Sequence, residues 1–355
     1  MKILITGICG FVGSVLAESL AASAQVDAIV GIDNLSRAGS ERNVARLKEL
    51  GVEVRRGDIR NASDLDAIDR VDWLIDAAAN PSVLAGVDGK TSSRQLVEHN
   101  LVGTVNMLEF CRRHQATFTL LSTSRVYSIA PLAALRVEES AGAFRPIADQ
   151  EFPAGLSPRG VSEEFSTEPP VSLYGSTKVC SEHLALEYGA AFDFPVWINR
   201  CGVMAGAGQF GHPAQGIFSY WIHSFRERRP LKYIGFGGAG RQVRDCLHPR
   251  DLVPLLLAQC ASAAGGDQSR IVNVSGGVEN SISLAQLTSW CEQRFEPLPI
   301  ESVPQGRRFD LPWVVLDPSR AQSQWKWQPA TSINETLAEI ADFADAEPHW
   351  LALSC

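Results

Sequence analysis

The opening residues constrain this chain more than any other stretch: Met1-Lys2-Ile3-Leu4-Ile5-Thr6-Gly7-Ile8-Cys9-Gly10-Phe11-Val12-Gly13. A short apolar strand enters a turn with glycine at every third position, and a helix follows with Val15, Leu16 and Leu20 on its apolar side. Glycines there let the backbone turn tightly and approach a pyrophosphate, whose charge the helix N-terminus stabilises. Alone, Gly-x-x-Gly-x-x-Gly is equally an ordinary strand-to-helix turn. Context decides between them. A second strand, Val26 to Ile32, ends in Asp33, about 20 residues beyond the last glycine, where a carboxylate would hold an adenosine ribose. The segment reads as a dinucleotide site. Asp33 favours NAD over NADP, because a carboxylate accepts ribose hydroxyls and repels an added phosphate. Arg37 is either a cation that softens this preference or a solvated loop residue.

Beyond Asp33 strands and helices alternate. A helix lies around 40–50, then a strand over 52–55 leading to Gly57-Asp58-Ile59-Arg60. A further helix precedes the strand over 73–77, which runs into Ala78-Ala79-Asn80-Pro81. A long helix spans 92–113 and a strand 117–122. This alternation predicts an α/β fold, a doubly wound parallel sheet of the Rossmann type covered on both faces. Ligands bind at the carboxyl ends of such strands, where Gly7, Asp33, Asp58, Ala78 and Thr123 fall. Residues 128–172 break the pattern with Pro, Gly, Ser and Glu, and read as an ordered functional loop such as a lid. The helix 174–188 and the strand 195–200 resume it. The expected organisation is an NAD-binding domain over 1–200, with part of 240–270 returning to it. A smaller C-terminal α/β substrate-binding lobe covers 201–355, its core including Trp325 and Trp327.

The formal charge of −8 argues against a nucleic-acid or anionic-membrane surface. No stretch approaches the length of a membrane span, and a strand starting at residue 2 leaves no room for a signal peptide. The eight cysteines lack pairing or zinc-like spacing, which reads as free thiols in a reducing cytoplasm. The scattered histidines suggest no metal site.

The chemistry is written in Tyr174-Gly175-Ser176-Thr177-Lys178. Four residues apart on a helix, the phenol and the ammonium share one face. A tyrosine titrates near ~10, and a nearby cation favours its phenolate. Thr123, in Leu121-Ser122-Thr123-Ser124-Arg125-Val126-Tyr127, adds a hydroxyl at a strand end and completes a proton-transfer group.

Together these features resemble the extended short-chain dehydrogenase/reductase family (NAD-dependent epimerases and dehydratases), which acts on nucleotide sugars. The resemblance extends over nearly the whole chain. Asn100-x-x-Gly103-Thr104, Arg241-Gln242-Val243-Arg244-Asp245-x-x-His248 and Asn273-Val274-Ser275-Gly276-Gly277 look like further family segments. By that resemblance Thr123 is the hydroxyl partner, Tyr174 the acid/base, and Lys178 its electrostatic partner and a ribose ligand. NAD would lie against Gly7, Gly10, Phe11, Val12 and Gly13, with Asp33, Asn34, Ser36 and Arg37 at the ribose and Asp58 and Ile59 beyond it. Ala78, Ala79, Asn100, Tyr174 and Lys178 would complete its site. A nucleotide-diphosphate sugar would meet Asn80, Ser124, Arg125, Gln209 and Gln215, with Arg244 and Arg307 gripping the diphosphate. The family implies a cytoplasmic homodimer joined through the helices 92–113 and 174–188. Blander readings stand beside these: Asn100 as a cap, Asp245 and His248 as structural, and Arg244 paired with Asp245 or Asp251.

Nucleotide-sugar 4,6-dehydratases carry Thr-Asp-Glu at positions 123–125, and UDP-glucuronate decarboxylases place Glu at 125. Thr123-Ser124-Arg125 lacks those carboxylates. What remains is reversible oxidation of an alcohol, which with a retained cofactor gives epimerisation. The segments Asp33 to Ser40, Arg200 to Phe210, Gln215-Gly216 and Gly240 to His248 most resemble the CDP-paratose 2-epimerase (CDP-tyvelose epimerase) branch, implying epimerisation at carbon 2 of a CDP-hexose. Pro312 and Ser128 depart from that branch, which has Arg and Gly there. A UDP-hexose 4-epimerase, a net dehydrogenase and a non-catalytic NAD-binding regulator remain as alternatives.

Overall fold

The computed structural model describes residues 1–89, 92–212, 215–262 and 268–354. Its centre is a seven-stranded sheet. From edge to edge the strands are Ile271–Val274, Val196–Cys201, Thr117–Thr123, Trp73–Asp76, Lys2–Thr6, Ala28–Asp33 and Glu53–Arg56, all parallel. Alternate side chains of a strand point to opposite faces. Ile3, Ile5, Trp73 and Ile75 accordingly pack on one side with Leu16 and Leu20 of the helix Phe11–Ala21, and with Leu252, Leu255 and Leu256 of the helix Leu252–Ala261. Leu4, Leu74, Phe118 and Leu120 pack on the other with Leu108 and Phe110 of the helix Gly103–His114 and with Ala185 of the helix Ser172–Phe192. Both faces are covered, as the sequence pattern requires.

The strand order reverses between Lys2–Thr6 and Trp73–Asp76. A crevice at such a switch point is where open α/β sheets bind ligands. Here Thr6 pairs with Asp76 and Cys201 with Thr123, so the carboxyl ends of these strands lie side by side.

The second lobe holds a four-stranded sheet in which Val243–Leu247 is flanked by Val203–Met204, Ser281–Ser283 and Trp313–Val314. Three sequence expectations change here. The helix expected over 92–113 is two α-helices, Ser93–Val97 and Gly103–His114, joined by a π-helical turn, Glu98–Val102. The insertion 128–172 is built into the body instead of lying over it. Its ribbon Leu156–Ser157/Gly160–Val161 and hairpin Val137–Ser140/Ala143–Pro146 bond to the second lobe, with the Val161 amide donating to the Val315 carbonyl (2.8 Å) and the Phe144 amide to that of Arg241 (2.9 Å). Trp325 and Trp327 fill the core beneath the large sheet, not that of the small lobe. Trp325 stands edge-on to Trp197, 5.0 Å between centroids, and the Trp327 indole donates to the Asp251 carbonyl (2.7 Å). Among the described residues no helix is long and apolar enough to cross a membrane, and no cluster of three or more His, Cys, Asp or Glu is arranged to hold a metal.

Candidate active site

The glycine turn joins the first strand to the helix Phe11–Ala21, and two of its glycines are required by contact. A Cβ on Gly13 would lie 2.3 Å from the Gly7 carbonyl oxygen. One on Gly7, which has φ +62°, would lie 2.9 Å from the Ala78 Cα, across the switch point. The helix is capped by Gly10 with no side-chain hydrogen bond, and its first turn carries no acid. Its leading amides therefore face an anion site. The donor set and this bare cradle fit a pyrophosphate.

Asp33 is fixed beside the turn, accepting from the Cys9 amide (2.9 Å) and the Leu35 amide (2.8 Å). Burial pushes its carboxyl up, and these amides oppose the shift. Cys9 is buried and, through burial and then Asp33, is pushed up to about 12, so its thiol stays protonated and packs. Asn34 donates to Asp58 (3.1 Å), whose carboxyl a hydrogen bond from Arg60 holds well below its usual range, while the Ser36 amide turns back to Asn34 (3.0 Å). The buried Ile59 offers its carbonyl to Asn106 (2.8 Å). Arg37 turns away from this group: its guanidinium donates to the Phe210 carbonyl (2.8 Å) and the Gln215 side chain (3.3 Å). Gln215 thus sits beside the loop after Asp33, and Gln209 donates within its own loop to the Met204 carbonyl (2.8 Å).

At the end of the strand Trp73–Asp76, the Ala78 amide donates to Thr6 Oγ1 and Asp76 Oδ1, each at 3.2 Å. Ala79 is exposed. Asn100, buried in the π-turn, clamps Asn80 from both sides, accepting from its amide (2.8 Å) and donating to its carbonyl (3.1 Å), and also donates to Thr177 (3.2 Å). It is a strut joining the loop after Ala78 to the Tyr174 helix. π-turns inside α-helices are frequent at functional sites.

Thr123 ends its strand and accepts from the Arg125 amide (3.2 Å), while Ser124 is buried at the start of the 3-10 turn that follows. On the facing helix Tyr174 is buried against Ala85 and Leu96. Lys178, 2 % exposed, donates to the Leu121 carbonyl (3.1 Å), two residues before Thr123. This contact ties the Tyr-Lys helix to the threonine strand. Gly175 lets them approach, since a Cβ there would lie 2.2 Å from the Arg125 carbonyl oxygen. Burial pushes the Arg125 guanidinium down to about 10, helped by the charge of Arg244 and opposed by Asp310 and Tyr174. It remains a cation at neutral pH, within electrostatic reach of all three. Arg244 pairs with Asp310 at 3.0 Å, and not with Asp245 or Asp251. Arg307 lies on an exposed segment whose carbonyl accepts from the Asp310 amide (3.3 Å).

Two neighbours of Arg125 lie outside the residues singled out from the sequence: Asp310, which pairs with Arg244, and Gly175, whose bare Cα seats the Arg125 carbonyl. A glycine beside the tyrosine was a readable signal for the second; nothing local pointed to the first. Asp245 is fully buried and pushed up to about 6 by burial, and His248 bonds Glu339 (3.2 Å) and the Arg250 amide (3.2 Å).

The sequence profile of the NAD dependent epimerase/dehydratase family matches residues 3–275. The chain belongs to this family. Among curated epimerase/dehydratase relatives, CDP-paratose 2-epimerase of Salmonella typhi is 28 % identical over 98 % of this chain and 100 % of its own length. An uncharacterised UDP-glucose epimerase of Bacillus subtilis, YtcB, is 27 % identical over 96 % and 97 %. Among solved structures, UDP-glucuronic acid 4-epimerase from Bacillus cereus, in complex with UDP-glucuronic acid and NAD, has a TM-score of 0.73 at 25 % identity, covering 98 % of this chain and 99 % of that one. UDP-glucose 4-epimerase of Thermus thermophilus, with NAD, has a TM-score of 0.76 at 23 % over 97 % and 99 %. Members of this epimerase/dehydratase family are NAD-dependent enzymes of nucleotide sugars.

A Gly175→Ala substitution is expected to force Arg125 and Thr123 away from the Tyr174 helix. A displacement of about 1 Å at a reacting centre costs on the order of 10²-fold in rate. Steady-state turnover of a variant with normal cofactor content measures it; wild-type turnover would mean the contact relaxes harmlessly.

Proposed function

We propose that this protein is an NAD-retaining nucleotide-sugar epimerase that inverts carbon 2 of a CDP-hexose through a transient keto sugar. The observation that carries this reading is the charge beside Tyr174. The neighbour is the Arg125 cation, where elimination or decarboxylation would use a carboxylate. The full-length relation to a CDP-paratose 2-epimerase supports the base and the carbon.

In this reading the amides of Phe11, Val12 and Gly13 and the close-packed glycines hold the cofactor's pyrophosphate. Asp33 takes the adenosine ribose, Asp58 and Ile59 flank the base, and Ala78, Ala79 and the Asn100-clamped loop line the nicotinamide half. NAD, when bound, accepts a hydride from the sugar carbon and returns it. Tyr174 takes the hydroxyl proton on its phenolic oxygen, with Thr123 hydrogen-bonded to the same hydroxyl. The Lys178 ammonium stabilises the phenolate, and Tyr174 gives the proton back once the keto sugar presents its other face. Arg125 and Arg244 together carry one more charge than Asp310 neutralises. That surplus suits the diphosphate, with Arg307, Asn80 and Ser124 farther around the substrate, whereas Gln209 and Gln215 stand beside the loop after Asp33. A homodimer through the helices flanking the π-turn and the Tyr174 helix has exposed Val97, Val102 and Leu173 to bury; light scattering reads its mass.

A UDP-hexose 4-epimerase is the second reading, because the Bacillus subtilis relative named for UDP-glucose matches at nearly the same identity. Incubation with CDP-paratose, CDP-glucose, UDP-glucose and UDP-glucuronic acid, followed by NMR of the products, separates the two. Inversion at carbon 2 of a CDP-sugar is expected. Inversion only at carbon 4 of a UDP-sugar establishes the second reading, and no reaction at carbon 2 of any CDP-sugar refutes the first.

A further inference from the structure

The loop after Asp33 is fastened from two sides. From inside, Asp33 accepts the Cys9 amide, and Asn43 donates to the Cys9 carbonyl (2.9 Å), locking the loop to the glycine turn. From outside, it is gripped by two segments distant in sequence. Arg37 donates to the Phe210 carbonyl and lies 5.7 Å from the Phe210 ring centroid. Gly39 is so close to that ring that a Cβ there would stand 2.6 Å from Phe210 Cε1 and 3.1 Å from Leu353 Cβ. Phe210 in turn stacks on Trp350, 5.1 Å apart at 16°. Trp350 donates its indole N–H to the Gln209 carbonyl (3.0 Å), stands edge-on to Phe343 (4.9 Å) and lies under Arg42 (5.6 Å), which pairs with Glu347 (3.3 Å). The final turn of the chain, Trp350–Ser354, therefore reaches across from the second lobe to the wall of the adenosine end of the cofactor site.

We infer that Trp350 and Phe210 form a clasp that holds the Asp33–Arg42 loop closed on the adenosine half of NAD, making Trp350 a positioning residue for the cofactor. An epimerase that returns the hydride it removed has no use for cofactor exchange during turnover. A clasp spanning both lobes gives that retention a physical basis: the loop cannot open without breaking the Arg37 bond to Phe210, the packing of Gly39 on the Phe210 ring and the Arg42 contacts with Trp350 and Glu347, while the stack and the indole hydrogen bond hold Phe210 in place to receive it. Trp350→Ala removes both aromatic contacts of the clasp and the indole hydrogen bond, and should speed NAD release by about tenfold or more.

The inference rests on the assignment of Asp33 to the adenosine ribose. The test is NAD retained per chain after gel filtration, quantified chromatographically from denatured protein, for wild type, Trp350→Ala and Arg37→Met. Fluorescence and melting scans report whether each variant is folded. Wild type should keep NAD, and both folded variants should lose it about tenfold faster. Folded variants that hold NAD as wild type does overturn the clasp. A wild type that binds no NAD overturns the cofactor assignment itself. Should a variant fail to fold, hydrogen exchange on wild type decides. NAD should slow exchange of amides in 205–212 and 347–353, and unchanged exchange there overturns the clasp.

Discussion

Tyr174→Phe is expected to lower kcat by about 10³-fold, within the range that one positioned acid–base group supplies. The ring stays in its pocket with Ala85 and Leu96, and only the phenolic oxygen is lost. Folding and NAD content should be unchanged, because the cofactor's anchors at the glycine turn and Asp33 are untouched. A loss of that size is about 4 kcal/mol of transition-state stabilisation. With the cofactor retained, the variant should also fail to build up any reduced-nicotinamide absorbance on adding substrate, since both half-reactions need the same oxygen. Turnover within a few-fold of wild type would remove Tyr174 from its role and leave the Thr123 hydroxyl to be tested instead.

What made that residue legible is local. Tyr174 and Lys178 are four residues apart on one helix, and the glycine turn is a strand, a bend and a helix in immediate succession. Such patterns are set by backbone geometry and by the period of the secondary structure, so they survive in one dimension. The strand ends that gather Gly7, Asp33, Ala78 and Thr123 follow from the alternation of strands and helices in the same way. Pairings chosen by the tertiary fold were not legible. Arg244 finds Asp310, 66 residues away, over the nearer Asp245 and Asp251, because their strand and loop geometry points them elsewhere. Arg37 finds Gln215 across 178 residues, a pairing that no local pattern announces. The π-turn at Asn100 was not legible, since the extra residue slips the apolar period by only one position (about 100°) and the helix before it, Ser93–Val97, is too short to fix the phase. The composition of 128–172 resembles an ordered functional loop and carries no sign of its partners, hydrogen bonds from Phe144 to Arg241 and from Val161 to Val315.

Glu182→Gln is expected to be the most destabilising of the substitutions considered, by about 3–5 kcal/mol. Glu182 is fully buried one turn beyond Lys178, and its carboxylate accepts from Arg200 Nε (3.1 and 3.2 Å), Arg200 Nη2 (2.6 Å) and the Ser122 hydroxyl. Burial alone would pull the Arg200 guanidinium down, but Glu182 and then Tyr127 outweigh it and leave the group above its ordinary value. Removing the negative charge leaves that cation buried, with only Tyr127 (3.3 Å) and the new amide to face. For a chain of this length the loss corresponds to a Tm lower by about 4–7 °C. The damage should also reach catalysis. Ser122 adjoins Thr123, and Tyr127 bonds Asn273 (2.7 Å), which holds the Val161 carbonyl (2.8 Å) of the insertion. The ion pair therefore joins the Tyr-Lys helix, the threonine strand and the insertion in one network. Calorimetry and turnover on the same sample separate the two effects. A fall in Tm with unchanged kcat at low temperature would make the pair structural only. An unchanged Tm would mean that water or a shifted side chain compensates the buried guanidinium. A Glu182→Met/Arg200→Met double variant, which removes both charges, should regain much of the lost stability, because a buried pair replaced by apolar groups of similar volume is often near neutral. It should not regain full turnover, since the Ser122 hydroxyl, next to Thr123, would still lack its Glu182 partner and Tyr127 its Arg200 donor.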